Sequence, residues 1–185
     1  AVAASDEVAT ADQATAVATE EAVVDEQVPV SGQEYQPRGG VRPNVRADFS
    51  PVIKTPRIDH SAYLDPKSSV IGDVTVGKRV YVAPFVSLRG DEGQPVYLGN
   101  ESNAQDGVAV HALETISHGK PKPENTFEVN GKRYAVYIGD RVSLAHQAQV
   151  HGPARIDNDT FIGMQVLVFR AHVGNMGVKD ATDDL

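Results

Sequence analysis

The sequence contains no cysteine in 185 residues, which excludes a disulfide framework and any metal site built on thiolates. It has no stretch apolar enough to span a membrane. It also lacks a basic cluster: the net charge is −8, and residues 1–30 carry seven acidic side chains and no basic ones. An acidic chain of this kind does not fit a nucleic-acid-binding protein.

The first part of the chain is low in aromatic residues, with none before Tyr35. Residues 1–36 are rich in Ala, Val, Thr, Glu and Asp, which predicts a disordered acidic tail. The sequence begins at Ala1 rather than at methionine. We interpret this start as the mature end left by removal of an export signal, which predicts a periplasmic or extracellular protein. A trimmed end, with a cytoplasmic location, is the alternative.

Prolines are concentrated in residues 37–57, which contain four of them together with two glycines. Proline at this density disfavours helix and favours an extended backbone. We therefore predict an extended lead-in that wraps the outside of the core.

Aliphatic residues recur at every sixth position over most of the remaining chain. A strict period of six fits neither a helix nor an ordinary strand, and it is typical of a parallel β-helix built from hexapeptide repeats. The sequence therefore predicts an all-β parallel β-helix over residues 58–178. The anchor positions are Ile58, Leu64, Val70, Val76, Val82, Leu88, Leu98, Ala104, Val110, Ile138, Leu144, Val150, Ile156, Ile162 and Val168.

Two insertions interrupt this repeat, four residues within 89–97 and 22 residues within 111–137. Three hexads make one triangular coil, so every third hexad lies on the same face. If both insertions loop out and return in register, His111 and His151 occupy equivalent outward positions on consecutive rungs, about 4.8 Å apart. Arg89 then lies on the rung below His111.

Two imidazoles one rung apart suit a single metal ion. Zinc usually takes four tetrahedral ligands, and a catalytic zinc keeps one of these positions for water. His146 follows Leu144 on a different face, so it would join His111 and His151 from a neighbouring subunit. Three triangular prisms around a threefold axis would repeat that contact and close into a trimer. The alternative interpretation is that all three are ordinary surface histidines.

Four short segments around these histidines share a more specific pattern. They are Arg89-x-Asp91-Glu92-Gly93, Asn103-x-Gln105-Asp106-Gly107, His111-Ala112-Leu113-Glu114, and Ser143-Leu144-Ala145-His146-Gln147-x-Gln149-Val150-His151-Gly152-Pro153. This combination resembles the gamma-class carbonic anhydrases, in particular the archaeal type with a long acidic loop after the first ligand. The resemblance covers roughly residues 58–174. A bare hexapeptide repeat would be shared with acyltransferases, but this histidine, glutamate and glutamine pattern would not.

The resemblance implies a left-handed β-helix homotrimer with three metal sites between subunits. Each site would take His111 and His151 from one subunit and His146 from its neighbour. The metal would be Zn²⁺, with Fe²⁺ or Co²⁺ as alternatives. Glu92 would match the glutamate beside the metal-bound water, and Gln105 would match its hydrogen-bond partner.

Further polar residues take implied roles in the same way. Asn103 would match a nearby polar residue of the active site, and Arg89 and Asp106 an ion pair of the subunit interface. Glu114 would match the proton-shuttle glutamate, with His118 as a helper because histidine is the side-chain type suited to proton transfer near neutral pH. Without the resemblance, Glu92, Gln105 and Asn103 would be interpreted as polar residues of turns and corners, and Glu114 as a loop carboxylate in contact with solvent.

The activity implied is the metal-dependent, reversible hydration of carbon dioxide to bicarbonate and a proton. A bound metal lowers the pKa of its water toward about 7, which gives a nucleophile at neutral pH. Two other functions stay open: an acyltransferase on the same repeat, and a non-catalytic scaffold or bicarbonate-binding protein.

The sequence departs from the family pattern in two segments. The loop Ser117-His-Gly-Lys-Pro-Lys-Pro-Glu-Asn125 carries lysines where the archaeal type is more acidic. Residues 179–185 form a C-terminal tail with no counterpart of the family's C-terminal helix. We expect either that this sequence is part of a longer chain or that its activity is reduced.

Overall fold

The computed structural model describes residues 40–175, so the predictions for residues 1–39 and 176–185 lie outside the described residues. The described chain consists of short strands and one 3₁₀ helix. Most strands form three parallel sheets, each of which collects every third strand-forming hexad. This topology and the six-residue repeat are those of a left-handed parallel β-helix, and the predicted fold class is confirmed.

We call the three faces sheets A, B and C. Sheet A contains β1 (Gly40–Arg42), β4 (Ser69–Gly72), β7 (Ser87–Gly90), β10 (Ala109–Ala112), β17 (Gln149–Gly152) and β20 (Leu167–Phe169). Sheet B contains β2 (Arg57–Ile58), β5 (Val74–Val76), β8 (Val96–Leu98), β15 (Val136–Ile138), β18 (Ala154–Ile156) and β21 (His172–Val173). Sheet C contains β3 (Tyr63–Leu64), β6 (Tyr81–Val82), β9 (Asn103–Ala104), β16 (Ser143–Leu144) and β19 (Phe161–Ile162).

The hexad anchors form the core of the prism. Apart from Ile58, which is partly buried, every anchor from Leu64 to Val168 is at most 5% exposed. Burial of each large aliphatic side chain contributes roughly 1.5–3 kcal/mol relative to leaving it in water. Since successive side chains of a strand point to opposite faces, residues next to the anchors point outward.

Tight corners join the three sheets. Residues such as Arg79, Glu101 and Arg141 adopt left-handed backbone conformations there, with φ between 51° and 57°. Gly99 permits a close approach between rungs, because a Cβ at this position would lie 2.3 Å from the carbonyl oxygen of Gly139. The corners therefore fit the spacing of the rungs, which the backbone hydrogen bonds of the sheets set.

Both insertions leave the prism and return in register. The first is a loop over residues 91–95, between β7 and β8. The second folds into two antiparallel hairpins separated by a 3₁₀ helix. Its elements are β11 (Ile116–Ser117), β12 (Lys120–Pro121), the helix Pro123–Asn125, β13 (Phe127–Val129) and β14 (Lys132–Tyr134).

The described part of the lead-in, residues 40–57, extends one edge of the prism. Its strand β1 pairs in parallel with β4 and so adds a rung to sheet A. Beyond β1, buried Asn44 donates from Nδ2 to Ser50 Oγ at 2.9 Å and to the carbonyl of Val52 at 3.1 Å, which folds the segment back on itself. Between residues 40 and 175, no helix is long and apolar enough to cross a membrane.

Candidate metal centre

His111 and His151 lie opposite each other on the neighbouring strands β10 and β17. Their inward neighbours Val110 and Val150 are buried, so both imidazoles project from the outer surface of sheet A. The ring centroids are 5.4 Å apart, and the ring planes are nearly perpendicular at 84°. The 22 inserted residues between the two strands therefore do not change the register that the hexad count predicts.

Two carboxylates from the first insertion reach the same imidazole. The Nε2 atom of His111 is 3.1 Å from Glu92 Oε1 and 3.2 Å from Asp91 Oδ1. Asp91, Glu92 and His111 offer ligand atoms that all lie within 4.8 Å of one another. The sequence pattern predicts no role for Asp91, and its position between Arg89 and Glu92 in the matched segment is the only signal for one.

These contacts change the acidity of the groups. Hydrogen bonds with Asp91 and Glu92 raise the pKa of His111 to about 9. Partial burial would raise the pKa of Asp91, but its contacts with His111 and Arg89 outweigh burial and lower that pKa. The carboxylates thus stabilise positive charge at His111, either as a proton or as a metal ion. Paired imidazoles beside carboxylates fit a divalent transition metal such as zinc.

His146 lies in the corner between sheets C and A, two residues after β16 and before β17, rather than on a separate face as predicted. Its Nδ1 is 3.3 Å from Asp106 Oδ2, and half of its side chain is exposed. Within residues 40–175, the ligand atoms of His111, His146 and His151 do not all lie within 4.8 Å of one another. A single chain therefore does not assemble the predicted three-histidine set.

Asn103 and Gln105 lie on the same side as His146. Ser143 of β16 donates from Oγ to Asn103 Oδ1 at 3.1 Å, and Gln105 Nε2 is 3.5 Å from the same hydroxyl. Seven of the predicted site residues therefore fall into two groups. Half-site A contains Glu92, His111 and His151, and half-site C contains Asn103, Gln105, Asp106 and His146.

The two residues of the implied interface ion pair have different partners within the chain. Arg89 Nη2 lies 3.0 Å from Asp91 Oδ2, next to half-site A. Asp106 contacts His146 in half-site C. The ion pair between Arg89 and Asp106 stays a prediction about the assembled protein.

Glu114 forms an ion pair that the sequence pattern does not predict. Lys122 Nζ lies 2.5 Å from Glu114 Oε1, and this hydrogen bond lowers the pKa of Glu114. The carbonyl of Glu114 accepts a hydrogen bond of 2.8 Å from buried Asn125. A proton shuttle works best when its pKa lies near the operating pH. While Lys122 is paired with Glu114, it lowers the pKa of Glu114 and so works against a shuttle role for this carboxylate. His118 contacts Ser117 Oγ through Nδ1 at 3.1 Å.

Known proteins with similar sequences help to interpret this arrangement of residues. No protein-family model matches the chain. Over 136 residues the chain is 56% identical to the carbonic anhydrase of Methanosarcina thermophila, which covers 73% of this chain and 55% of that protein. It is also 33% identical over 111 residues to the mitochondrial gamma carbonic anhydrase 2 of Arabidopsis thaliana, with 60% of this chain and 35% of that protein covered. This chain is a homologue of the gamma carbonic anhydrases.

A third relative of this gamma carbonic anhydrase homologue carries the name of an assembly protein. The carboxysome assembly protein CcmM of Nostoc is 42% identical over 118 residues, which cover 64% of this chain and 20% of that protein. The matched region spans about half of the Methanosarcina protein and smaller shares of the other two. The family resemblance predicted from the four sequence segments is confirmed.

Proposed function

We propose that this protein catalyses the reversible hydration of carbon dioxide to bicarbonate and a proton at a metal site shared between subunits. The observation that carries the proposal is the pair His111 and His151 on consecutive rungs, with the Glu92 carboxylate 3.1 Å from His111. In a homologue of the gamma carbonic anhydrases, this arrangement supports a metal centre better than an ordinary surface patch.

The proposed ligands are His111 and His151 of one subunit and His146 of its neighbour. Zn²⁺ is the proposed metal, with Fe²⁺ or Co²⁺ as alternatives. When bound, such a metal supplies a nucleophile from water near neutral pH. Imidazole nitrogens are standard zinc ligands, and three of them leave a fourth position for a small molecule.

The remaining polar groups would handle hydrogen bonds and protons. Glu92 is largely buried and would accept a hydrogen bond or a proton beside His111. Gln105 and Asn103, brought by half-site C of the neighbour, would orient it. Glu114 would pass the proton to buffer, and His118 would assist from the same insertion. For this step the Glu114 carboxylate has to leave Lys122, because a paired carboxylate is a weak proton acceptor.

The distribution of exposed apolar side chains supports a homotrimer. Beyond the lead-in, every large apolar side chain that is exposed in the described chain lies on sheet A, on sheet C or at the corner between them. Clusters of this kind mark protein interfaces. The side chains are Tyr63, Tyr81, Phe85, Phe161, Met164, Val166, Leu167 and Phe169, which are 40–67% exposed.

Contact between sheet A of one copy and sheet C of the next would cover these side chains. The same contact would bring half-site A of one subunit to half-site C of its neighbour. Because the two surfaces differ, the contact is head-to-tail, and three copies close it into a ring with three equal sites. Arg89 and Asp106 would then pair across the interface.

A non-catalytic scaffold or bicarbonate-binding protein is the second candidate. It is favoured by the 42% identity to a carboxysome assembly protein and by the ion pair that occupies Glu114. The two candidates differ in turnover, since a scaffold would keep the metal ligands without hydrating carbon dioxide.

Metal content and carbon dioxide hydration of the purified protein test the proposal together. We expect about one metal per subunit, loss of hydration on treatment with a chelator, and recovery when Zn²⁺ or Fe²⁺ is added back. A stoichiometric metal without hydration would favour the scaffold. Hydration that survives complete metal removal would overturn the metal mechanism.

A further inference from the structure

Thr115 is a buried polar residue at the junction of the two insertions, with 1% of its surface exposed. Its backbone N–H donates to the carbonyl oxygen of Glu92 at 2.8 Å, and its Oγ1 hydroxyl donates to the same oxygen at 2.6 Å. One residue of the second insertion therefore holds the backbone of Glu92 through two hydrogen bonds.

The first insertion also wraps around the hydroxyl of Thr115. The backbone N–H of Gln94 donates to Oγ1 at 2.8 Å, so the hydroxyl acts as donor and acceptor at once. Gly93 lies between these two contacts with φ +98°, and a Cβ at Gly93 would lie 2.5 Å from Thr115 Oγ1. The backbone at Gly93 is therefore packed closely against the hydroxyl of Thr115.

Thr115 makes equally direct contacts with the segment around Glu114. Its carbonyl accepts a hydrogen bond of 2.8 Å from the backbone N–H of Lys122, whose side chain pairs with Glu114. Asn125 binds the carbonyl of Glu114, the residue next to Thr115. The backbones of both proposed proton-handling carboxylates are thus held at or beside one threonine.

We propose that Thr115 is a positioning residue that fixes the Glu92 carboxylate relative to His111 and couples the Glu92 loop to the Glu114 segment. The Glu92 loop lies outside the strands, so the stacking of rungs does not fix it. The inference rests on the proposed function, because Glu92 and Glu114 matter to turnover only if the protein hydrates carbon dioxide. Loss of residues that orient catalytic or ligating groups typically costs about 10–100-fold in activity.

The test compares Thr115→Val, which removes the hydroxyl at nearly constant volume, with Thr115→Ser, which keeps it. Thr160→Val is the matched control, because Thr160 is also buried and donates from Oγ1 to the carbonyl of Asp157 at 2.9 Å. We expect Thr115→Val to lower kcat about 10-fold and to shift the pH profile, with metal content unchanged. We expect Thr115→Ser to restore most of kcat and Thr160→Val to leave it unchanged.

Amide hydrogen exchange gives a readout that does not depend on activity. In Thr115→Val the Gln94 amide loses its acceptor, so we expect its exchange to accelerate, while Thr115→Ser keeps it protected. If Thr115→Val fails to fold, Gly93→Ala takes its place, because the added Cβ displaces the same loop and leaves the hydroxyl intact.

Three results would overturn the inference: a wild-type kcat in Thr115→Val, an equal loss of kcat in Thr160→Val, or unchanged exchange at Gln94. If the wild-type protein itself does not hydrate carbon dioxide, the proposed function fails first. The exchange data then decide by themselves whether Thr115 holds the Glu92 loop.

Discussion

His111 Nε2 lies 3.1 Å from Glu92 Oε1, although Glu92 follows β7 and His111 lies on β10. His111 is held by a strand of sheet A, whereas Glu92 comes from a loop outside the strands. The contact therefore joins a rigid element to a loop whose path depends on other contacts. A proposed metal ligand and a proposed proton acceptor meet at this point, so changes at either residue should affect the other.

Replacing a proposed ligand should remove the metal. We expect His111→Ala and His151→Ala to lose stoichiometric zinc and at least 100-fold of hydration activity, since each site would lose one of three protein ligands. Metal analysis and stopped-flow hydration measure the two effects. His60→Ala is the control, because the His60 side chain is 88% exposed and its Nδ1 lies 3.5 Å from the neighbouring Asp59. Retention of full zinc in either ligand variant would contradict the assignment.

Mixing two inactive variants should restore activity if the site is shared. His111 belongs to half-site A and His146 to half-site C, so homotrimers of His111→Ala and of His146→Ala each lack a ligand at every site. In a mixed ring, one interface joins the intact half-site A of a His146→Ala chain to the intact half-site C of a His111→Ala chain. We expect partial activity after subunit exchange and an increase in thermal stability when metal is added.

Native mass spectrometry would confirm that mixed trimers form. Mixed trimers without any recovered activity would show that the three histidines do not build one site across the interface. A mixture of His111→Ala with His151→Ala is the matched control. Both changes lie in half-site A, so no interface of that mixture has all three histidines.

The ion pair between Lys122 and Glu114 should affect proton transfer. Its hydrogen bond lowers the pKa of Glu114. We expect Glu114→Ala to slow turnover mainly at low buffer concentration, with imidazole restoring part of the rate. Lys122→Met should raise the pKa of Glu114 toward its ordinary value and increase the rate at low buffer, whereas Lys122→Arg keeps the charge and should change little. Equal losses at all buffer concentrations would mean that Glu114 is not the shuttle.

Metal binding should depend on pH through His111. In the metal-free chain, contacts with Asp91 and Glu92 raise the pKa of His111 to about 9, so a metal has to displace a proton below that pH. We expect the apparent zinc affinity to rise about tenfold per pH unit up to about pH 9 and then to level off. Calorimetric titration in several buffers measures both the affinity and the proton release.

The raised pKa of His111 also determines how the stability of the metal-free fold depends on pH. A folded-state pKa of about 9, above an ordinary value of 6.5, stabilises the metal-free fold below about pH 6.5. That stabilisation is lost as the pH rises through about 9. Asp91→Asn should reduce the rise in the pKa of His111 and so narrow the pH range over which this stabilisation is lost, because it removes the first of the two carboxylate contacts.

For the zinc titration, an affinity that does not change between about pH 7 and 9 would exclude proton competition at His111.

The hexad pattern was enough to predict which residues share a face. Leu88, Val110 and Val150 fall on sheet A as the count requires, because a prism coil has a constant length and insertions at its corners do not shift the register. The pairing of His111 with His151 follows from that count alone. The count also places His146 two residues after the anchor Leu144 and outside sheet A, although the structure has it in the corner between sheets C and A rather than on a face.

The contacts inside the insertions could not be predicted in this way. Nothing periodic indicated that the second insertion would form two hairpins, or that Lys122 would reach Glu114. Asp91 and Thr115 are ordinary loop residues in the sequence, and their roles depend on the path of two loops past one another.

By itself, the sequence determined the parallel β-helix, its three faces and the stacking of His111 on His151. Those features depend on a repeated burial pattern, which is written into residue spacing. Only the tertiary structure decided how Asp91 and Glu92 contact His111 and how Thr115 holds the Glu92 loop. Those contacts join segments of irregular backbone, whose conformation is set by individual hydrogen bonds and close packing rather than by a period.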